Sequence, residues 1–226
     1  MKLIFTKKFG LFLIYLSIGL VMVGTFGMQR AMKTVMASQR NIPILCVQTP
    51  AGKVALTYNI NSVENVDKIL KETQGEKVTF FADSNTFMNH PSEIKKITDS
   101  GNEIALLERD LKGKTKSEIY DRIACEIEIT GRELAKSIEV FRFDNNLYDN
   151  NTVKAVFSLG LYPVQWSATG KENNFSAGDI ILITDDTDIK KLLNSIKKDG
   201  CETATVSEIL IKNEYKVDIN GEMMPK

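Results

Sequence analysis

From Ile44 to Ile183 the chain keeps one rhythm: short apolar runs alternate with stretches whose apolar residues recur every three or four positions. The runs 44–47, 54–58, 78–82, 103–107, 138–143, 162–166 and 180–183 have the length and the Val/Ile/Leu/Phe content of buried strands. Between and after them, Ile189, Leu192, Leu193 and Ile196 share a helical face with lysines opposite. Ile119, Ile123 and Ile127 fall at i, i+4 and i+8, and Val153, Val156 and Phe157 mark a third helix. Pro91 stands where the first turn of a fourth accepts proline. Strands alternating with helices predict βαβ units, a mostly parallel sheet and room for closure into a barrel, with function at the C-terminal strand ends. Beyond 207–211, the tail from Tyr215 reads as a short strand and turn.

The 226 residues suffice for one domain and an anchor, and 43% apolar content supports a real core. Net charge is zero but unevenly spread. Lys2, Lys7, Lys8, Arg30, Lys33, Arg40 and Lys53 precede the first acid, Glu64, which leaves 29 − 7 = 22 basic against 29 acidic groups after Lys53. A domain at −7 lacks the positive footprint of a nucleic-acid binder.

Residues 10–28 carry no charge across 19 positions. As a helix they would run about 28 Å, close to the hydrocarbon thickness of a bilayer. The expectation is a cytoplasmic leader (1–9), a transmembrane signal anchor (10–28), a juxtamembrane linker (29–41), an extracytoplasmic domain (42–212) and a tail (213–226). A cleaved signal peptide ending at Val35-Met36-Ala37 is the alternative. Cys46, Cys125 and Cys201 form no CxxC, and burial as free thiols is expected for all three.

The single histidine, His90, reads as a surface residue at a helix start and excludes a His-rich metal site and any histidine-based triad built elsewhere. No glycine-rich phosphate loop occurs. What remains at strand ends is Asn59, Asp83, Arg142 with Asp144, and Asp185 with Asp186. Asp185 and Asp186 are expected to cap the following helix, and Asp144 to pair with Arg142. An oxygen-ligated cation site built from Asp144, Asp185 and Asp186 is the competing reading.

Several strings occur in one order: Lys53-Val-Ala-Leu-Thr-Tyr58, Lys77-Val-Thr-Phe-Phe-Ala82, Gly101-Asn-Glu-Ile104, Phe141-Arg142, Leu159-Gly-Leu-Tyr162, Gln165-Trp-Ser167, Gly178-Asp-Ile-Ile-Leu182 and Thr205-Val-Ser-Glu-Ile-Leu210. Together they resemble the polysaccharide deacetylases of carbohydrate esterase family four, over residues 42–212. The 42–44 lead-in and the tail after Ile211 are most similar to the sporulation-associated branch of spore-forming Gram-positive bacteria. The resemblance implies a distorted (β/α) barrel, which would follow the N-terminal transmembrane helix expected from residues 10–28.

The resemblance also implies where catalytic groups would stand, and the residues there are wrong for the reaction. The general base and the metal-binding aspartate fall on Asn59 and Ile60, the two metal histidines on Leu107 and Leu111, and the general-acid histidine on Thr184. The groove-lining Arg-Pro-Pro-Tyr segment becomes Arg142-Phe-Asp-Asn145, and a further aspartate becomes Thr169. Asparagine accepts no proton near neutral pH, and aliphatic side chains have no lone pair for a metal. Zinc lowers the pKa of its water from 15.7 to about 7, worth about 12 kcal/mol, whereas a carboxylate base supplies about 3–5 kcal/mol. The missing metal is the larger loss.

The expectation is therefore an inactive, glycan-binding member, with no metal and no cofactor. Tyr58, Asn59, Asn61, Arg142, Asp144, Asn145, Trp166 and Asp185 would line the groove, while Tyr58 and Trp166 as core residues is an equal alternative. The partners implied are a cell-wall or spore-cortex glycan, or an envelope protein. An active hydrolase of non-peptide carbon–nitrogen bonds with a non-standard site, and a protein-interaction module, are the other readings.

Overall fold

A computed structural model describes residues 41–109, 111–134 and 137–226. The leader and anchor expectations, and all but the last residue of the linker, lie outside these residues. Among the described residues no helix is long and apolar enough to cross a membrane.

Among the described residues eleven strands form: β1 (Cys46–Val47), β2 (Lys53–Asn59), β3 (Thr79–Ala82), β4 (Glu103–Glu108), β5 (Val140–Phe143), β6 (Tyr162–Pro163), β7 (Ala168–Thr169), β8 (Ile180–Ile183), β9 (Glu202–Ala204), β10 (Tyr215–Val217) and β11 (Glu222–Pro225). The helices are α1 (Val66–Glu72), α2 (Ser84–Asn89), α3 (Pro91–Asp99), α4 (Lys116–Leu134), α5 (Asn150–Ser158), α6 (Ile189–Lys198) and α7 (Val206–Ile209). The main sheet runs β6-β5-β4-β3-β2-β8-β7, with β9 on the first half of β2, and every pair in it is parallel. The distorted barrel takes the form of a half-barrel of parallel strands.

A strand sends successive side chains to opposite faces, so each strand here splits its residues between two cores. Leu56, Tyr58, Phe80, Leu106, Phe141 and Ile181 face the helices and pack with Ile69, Phe87, Ile97, Ile119, Ile123, Val156 and Leu192. Ala55, Phe81, Ala105, Leu107, Val140 and Ile180 point into the half-barrel. Among the described residues, both ends of the domain pack into that inner side. Ile44 and Val47 enter from the start, Val206 and Ile209 of α7 and Met223 of β11 from the end. Ile44 bridges Val164, and Cys46 bridges Asp179. The tail is built into the same unit, with β11 parallel to β1 and antiparallel to β10.

Several local expectations are corrected. The run 162–166 yields only two strand residues, because Pro163 has no N–H, and its carbonyl and the Gln165 N–H bond to Ile44 instead. The run 44–47 is likewise strand only at Cys46–Val47. Cys125 is exposed, and of the three free thiols only Cys201 is buried. Cys125 is two residues past Ile123, which on a helix turns it about 200° away from the buried face. Asp185 and Asp186 do not cap α6; Asp188 does, accepting from Lys191 N, because a turn from Thr184 to Thr187 delays the helix start. Asp83 caps α2 through Thr86 N, and His90 sits half-buried before Pro91 at the start of α3.

Candidate functional site

At the C-terminal ends of β2, β5 and β8 a cavity of about 320 Å³ opens. β2 delivers Tyr58 and Asn59, the loop after it Asn61, and the turn after β5 Asp144 and Asn145. The segment after β6 contributes Trp166, and the end of β8 contributes Thr184 and Asp185. These expected groove residues therefore meet around one space. Arg142 is not on its wall. Asn146, Leu182 and Ile183, which the sequence reading did not single out, complete the lining.

Arg142 lies beneath the cavity as the largest fully buried side chain of the described residues, pointing into the half-barrel from β5. Its guanidinium stands 3.8 Å from the Phe81 ring centroid and 5.5 Å from that of Trp166. Nη1 donates to Thr57 Oγ1 and Asn59 Oδ1, both at 3.0 Å, and Nη2 to the Gln165 carbonyl at 3.4 Å. Nε has no partner, and no carboxylate among the described residues pairs with the group. Desolvation alone pushes its pKa down to about 9, so it remains cationic at neutral pH. Gln165 donates from Nε2 to the Phe143 carbonyl at 2.7 Å and ties the Trp166 segment to the end of β5.

The expected Asp144–Arg142 pair is absent. Asp144 instead pairs with Arg109 Nε at 3.3 Å and accepts from Asn145 Nδ2 at 3.1 Å. The physical reason is where β5 ends: Arg142 points inward from the strand, and Asp144 lies in the turn that follows it. That turn puts Asn145 and Asn146 at φ of 49° and 58°. Two successive residues other than glycine in the left-handed region store strain, and asparagine tolerates it best.

Tyr58 answers the groove-or-core question from both sides. Its ring is buried, edge-on to Phe80 at 5.9 Å, and unavailable for stacking on a ligand. Its hydroxyl reaches the cavity and donates to Asp185 Oδ1 at 2.5 Å. Burial first, then the Asp185 carboxylate, pushes the phenol far above its usual range. Trp166, half-buried, is the aromatic left at the wall. Asp186 pairs with Lys171 at 2.5 Å and accepts from Thr184 Oγ1, and these bonds hold its carboxyl down at about 2. Thr184 is thereby engaged, and its hydroxyl has no basic nitrogen with which to act as the general acid.

The positions implied for metal ligands do not fit a metal. Ile60 and Leu111 are packed in the helix-facing core and Leu107 in the inner one, all at most 3% exposed, and none lines the cavity. Among the described residues no group of three or more His, Cys, Asp or Glu side chains could hold a metal ion. The larger cavity, about 820 Å³, lies at the opposite end of the strands beside Asn102, Glu103 and Glu139, away from these groups.

A family model described as polysaccharide deacetylase matches residues 47–164. No curated relative matches the chain. Among solved structures, wild-type BA3943 of Bacillus anthracis, described as a CE4 family pseudoenzyme, is 17% identical with a TM-score of 0.67, over 76% of this chain and 70% of that one. The Bc1960 peptidoglycan N-acetylglucosamine deacetylase is 18% identical with a TM-score of 0.63, over 79% of this chain and 96% of that one. The chitin deacetylase of Colletotrichum lindemuthianum is 21% identical with a TM-score of 0.59, over 75% and 92%. At these identities the likeness is one of fold.

Proposed function

The chain belongs to the polysaccharide deacetylase family, and from that premise we propose that it holds glycan without hydrolysing it. One observation carries this reading. An amide, Asn59, is fixed by Arg142 at the end of β2, and the positions around it that would carry metal ligands are buried aliphatic side chains. Asn59 takes no proton from water at neutral pH, and Ile60, Leu107 and Leu111 offer a metal no lone pair. What the cavity does present is half of Trp166, the amides of Asn59, Asn61 and Asn145, and the Tyr58–Asp185 pair. Aromatic surface and amide hydrogen bonds suit the faces and hydroxyls of a sugar.

The glycan would be that of the cell wall or spore cortex, reached by a domain anchored through residues 10–28 and facing outward. Membership in the sporulation-associated branch belongs to the same proposal. It is supported by the uncharged 10–28 stretch and the lead-in and tail sequences.

The test is acetate release by the full chain in detergent from N-acetylated chitooligosaccharide and from peptidoglycan, each with and without zinc or cobalt. No release, together with retention of the protein on one of these glycans, is the expected result. Release above buffer that follows the protein through purification overturns the reading and directs mutagenesis to Asp144 and Asp185.

A further inference from the structure

The cavity of about 820 Å³ at the other end of the strands is larger than the one beside Trp166, and the glycan-binding reading does not use it. Residues of α3, the end of α4, the starts of β4 and β5, and α7 surround it. Its apolar lining comes from Ile94 of α3, Ile104 of β4, Leu134 of α4 and Ile138 just ahead of β5. All four belong to the helix-facing core or pack against it, so the cavity opens onto an edge of that core.

Five carboxylates stand around this surface, Asp99, Glu103, Glu133, Glu139 and Glu208, against two ammonium groups, Lys95 and Lys212. Both ammonium groups are engaged, Lys95 with Asp99 at 2.9 Å and Lys212 with Glu139 at 2.6 Å, and Lys77 from outside pairs with Glu208. Glu103 meets only neutral donors: the Thr79 hydroxyl at 2.7 Å, the Ser207 N–H at 3.2 Å and the Ser207 hydroxyl. The Glu133 carboxylate has no partner among the described residues. The 19-residue α4 also ends at this wall, where its last carbonyls carry negative partial charge, and Arg132 in its last turn is paired with Glu128 at 2.8 Å. Negative charge is thus in excess beside an apolar surface.

We propose that this cavity is a second ligand site, separate from the glycan groove, and that it takes a small organic cation: an aromatic or branched aliphatic body carrying a primary ammonium. Its volume sets the size class, since cavities of roughly 300–1,000 Å³ hold drug-sized molecules. The isoleucines and Leu134 receive the apolar body. Glu133 and Glu103 receive the ammonium, which has three donors and no acceptor and so suits carboxylate oxygens. A neutral ligand of the same shape gains the apolar contact alone, and an anion meets like charge. One ion pair at an exposed rim, with charges roughly 4 Å apart in water, is worth about a fivefold change in affinity.

The full chain in detergent is titrated against para-fluorophenethylamine, and against the alcohol and the carboxylate of the same shape. Fluorine NMR line broadening is read relative to a protein-free detergent blank. The amine is expected to bind at least fivefold more tightly than the alcohol, and the carboxylate not at all. Glu133→Gln, at an exposed position, is expected to weaken the amine at least threefold and leave the alcohol unchanged. Ser137→Trp, which fills the cavity from an exposed loop position, is expected to abolish binding of both, and Asp185→Asn in the other cavity to change neither. Absence of amine binding, equal wild-type affinity for amine and alcohol, or an unchanged amine affinity in Glu133→Gln overturns the proposal. Amine binding that survives Ser137→Trp marks a general attraction to an acidic surface and overturns it too, as does a loss in Asp185→Asn, which places the amine in the other cavity. None of these outcomes bears on whether glycan is held beside Trp166.

Discussion

Replacing Asn59 by aspartate supplies the buried guanidinium with the carboxylate it lacks. Burial lowers the Arg142 pKa from 12.5 to about 9. At 1.36 kcal/mol per pH unit, that fall corresponds to about 5 kcal/mol of desolvation carried by the folded state, because the group stays charged at pH 7. A carboxylate in place of Asn59 Oδ1, 3.0 Å from Nη1, would set the two charge centres about 4 Å apart and gain about 4 kcal/mol of attraction at an effective dielectric of about 20. Against this stand the desolvation of the new carboxylate, partial because position 59 is half-buried, and repulsion from Asp144 and Asp185. The balance is a stabilisation of about 1–3 kcal/mol at neutral pH. The new group's folded pKa lies below its unfolded value of about 3.9, so the gain is complete above roughly pH 5 and is lost as pH falls through the folded pKa. Urea denaturation followed by Trp166 emission, at pH 7 and at pH 2, measures both terms. A variant no more stable than wild type at pH 7 would refute the view of Arg142 as an uncompensated charge. So would an advantage that persists undiminished to pH 2.

Three further substitutions test other parts of the structure. Glu108 is buried at the end of β4, and burial, with Glu126 adding like charge, raises its pKa, so its contribution to stability falls as pH rises through that value. Glu126→Gln, at a side chain whose Oε2 is buried without a partner, should stabilise by about 1 kcal/mol at pH 7 and by nothing at pH 3, read as a shift of the urea midpoint. Lys171→Ala removes the leading cause of the low Asp186 pKa. The midpoint of the Asp186 carboxyl, followed by carbon NMR, should climb from about 2 toward the ordinary range; a fixed midpoint would mean that the Thr184 bond dominates. Gly178 has φ of 90°, and an added Cβ would lie 1.7 Å from the Val47 carbonyl oxygen. Gly178→Ala should therefore cost about 3 kcal/mol or more, and a midpoint within 1 kcal/mol of wild type would contradict the close passage of β1 there.

Much of the fold is legible along the chain because it repeats at short range. The apolar runs that become β2, β3, β4, β5 and β8 are readable from the sequence pattern, and the period of two puts Thr57 and Asn59 on one face of β2, whereas the sheet brings Arg142 of β5 to that side. The resemblance to the family, not the periodicity, implies metal ligands at Ile60, Leu107 and Leu111, and no fold can give those side chains a lone pair. Even the exposure of Cys125 follows from helical geometry once Ile123 is taken as buried. The cap at Asp188 was less accessible, because it depended on the turn at 184–187.

The amino-acid order by itself determined the alternation of side chains along each strand, and it set an amide and aliphatic groups at the positions where the family resemblance implies catalytic groups. Tertiary structure decided the partners. It gave Asp144 to Arg109, Asp185 to Tyr58, and Asn59 to an arginine 83 residues away. It also filled the inner side of the half-barrel with both ends of the domain. Periodicity is local and written in successive residues, whereas these pairings depend on strand order and on which way each loop turns after its strand, and neither is set within a few residues of the groups that meet.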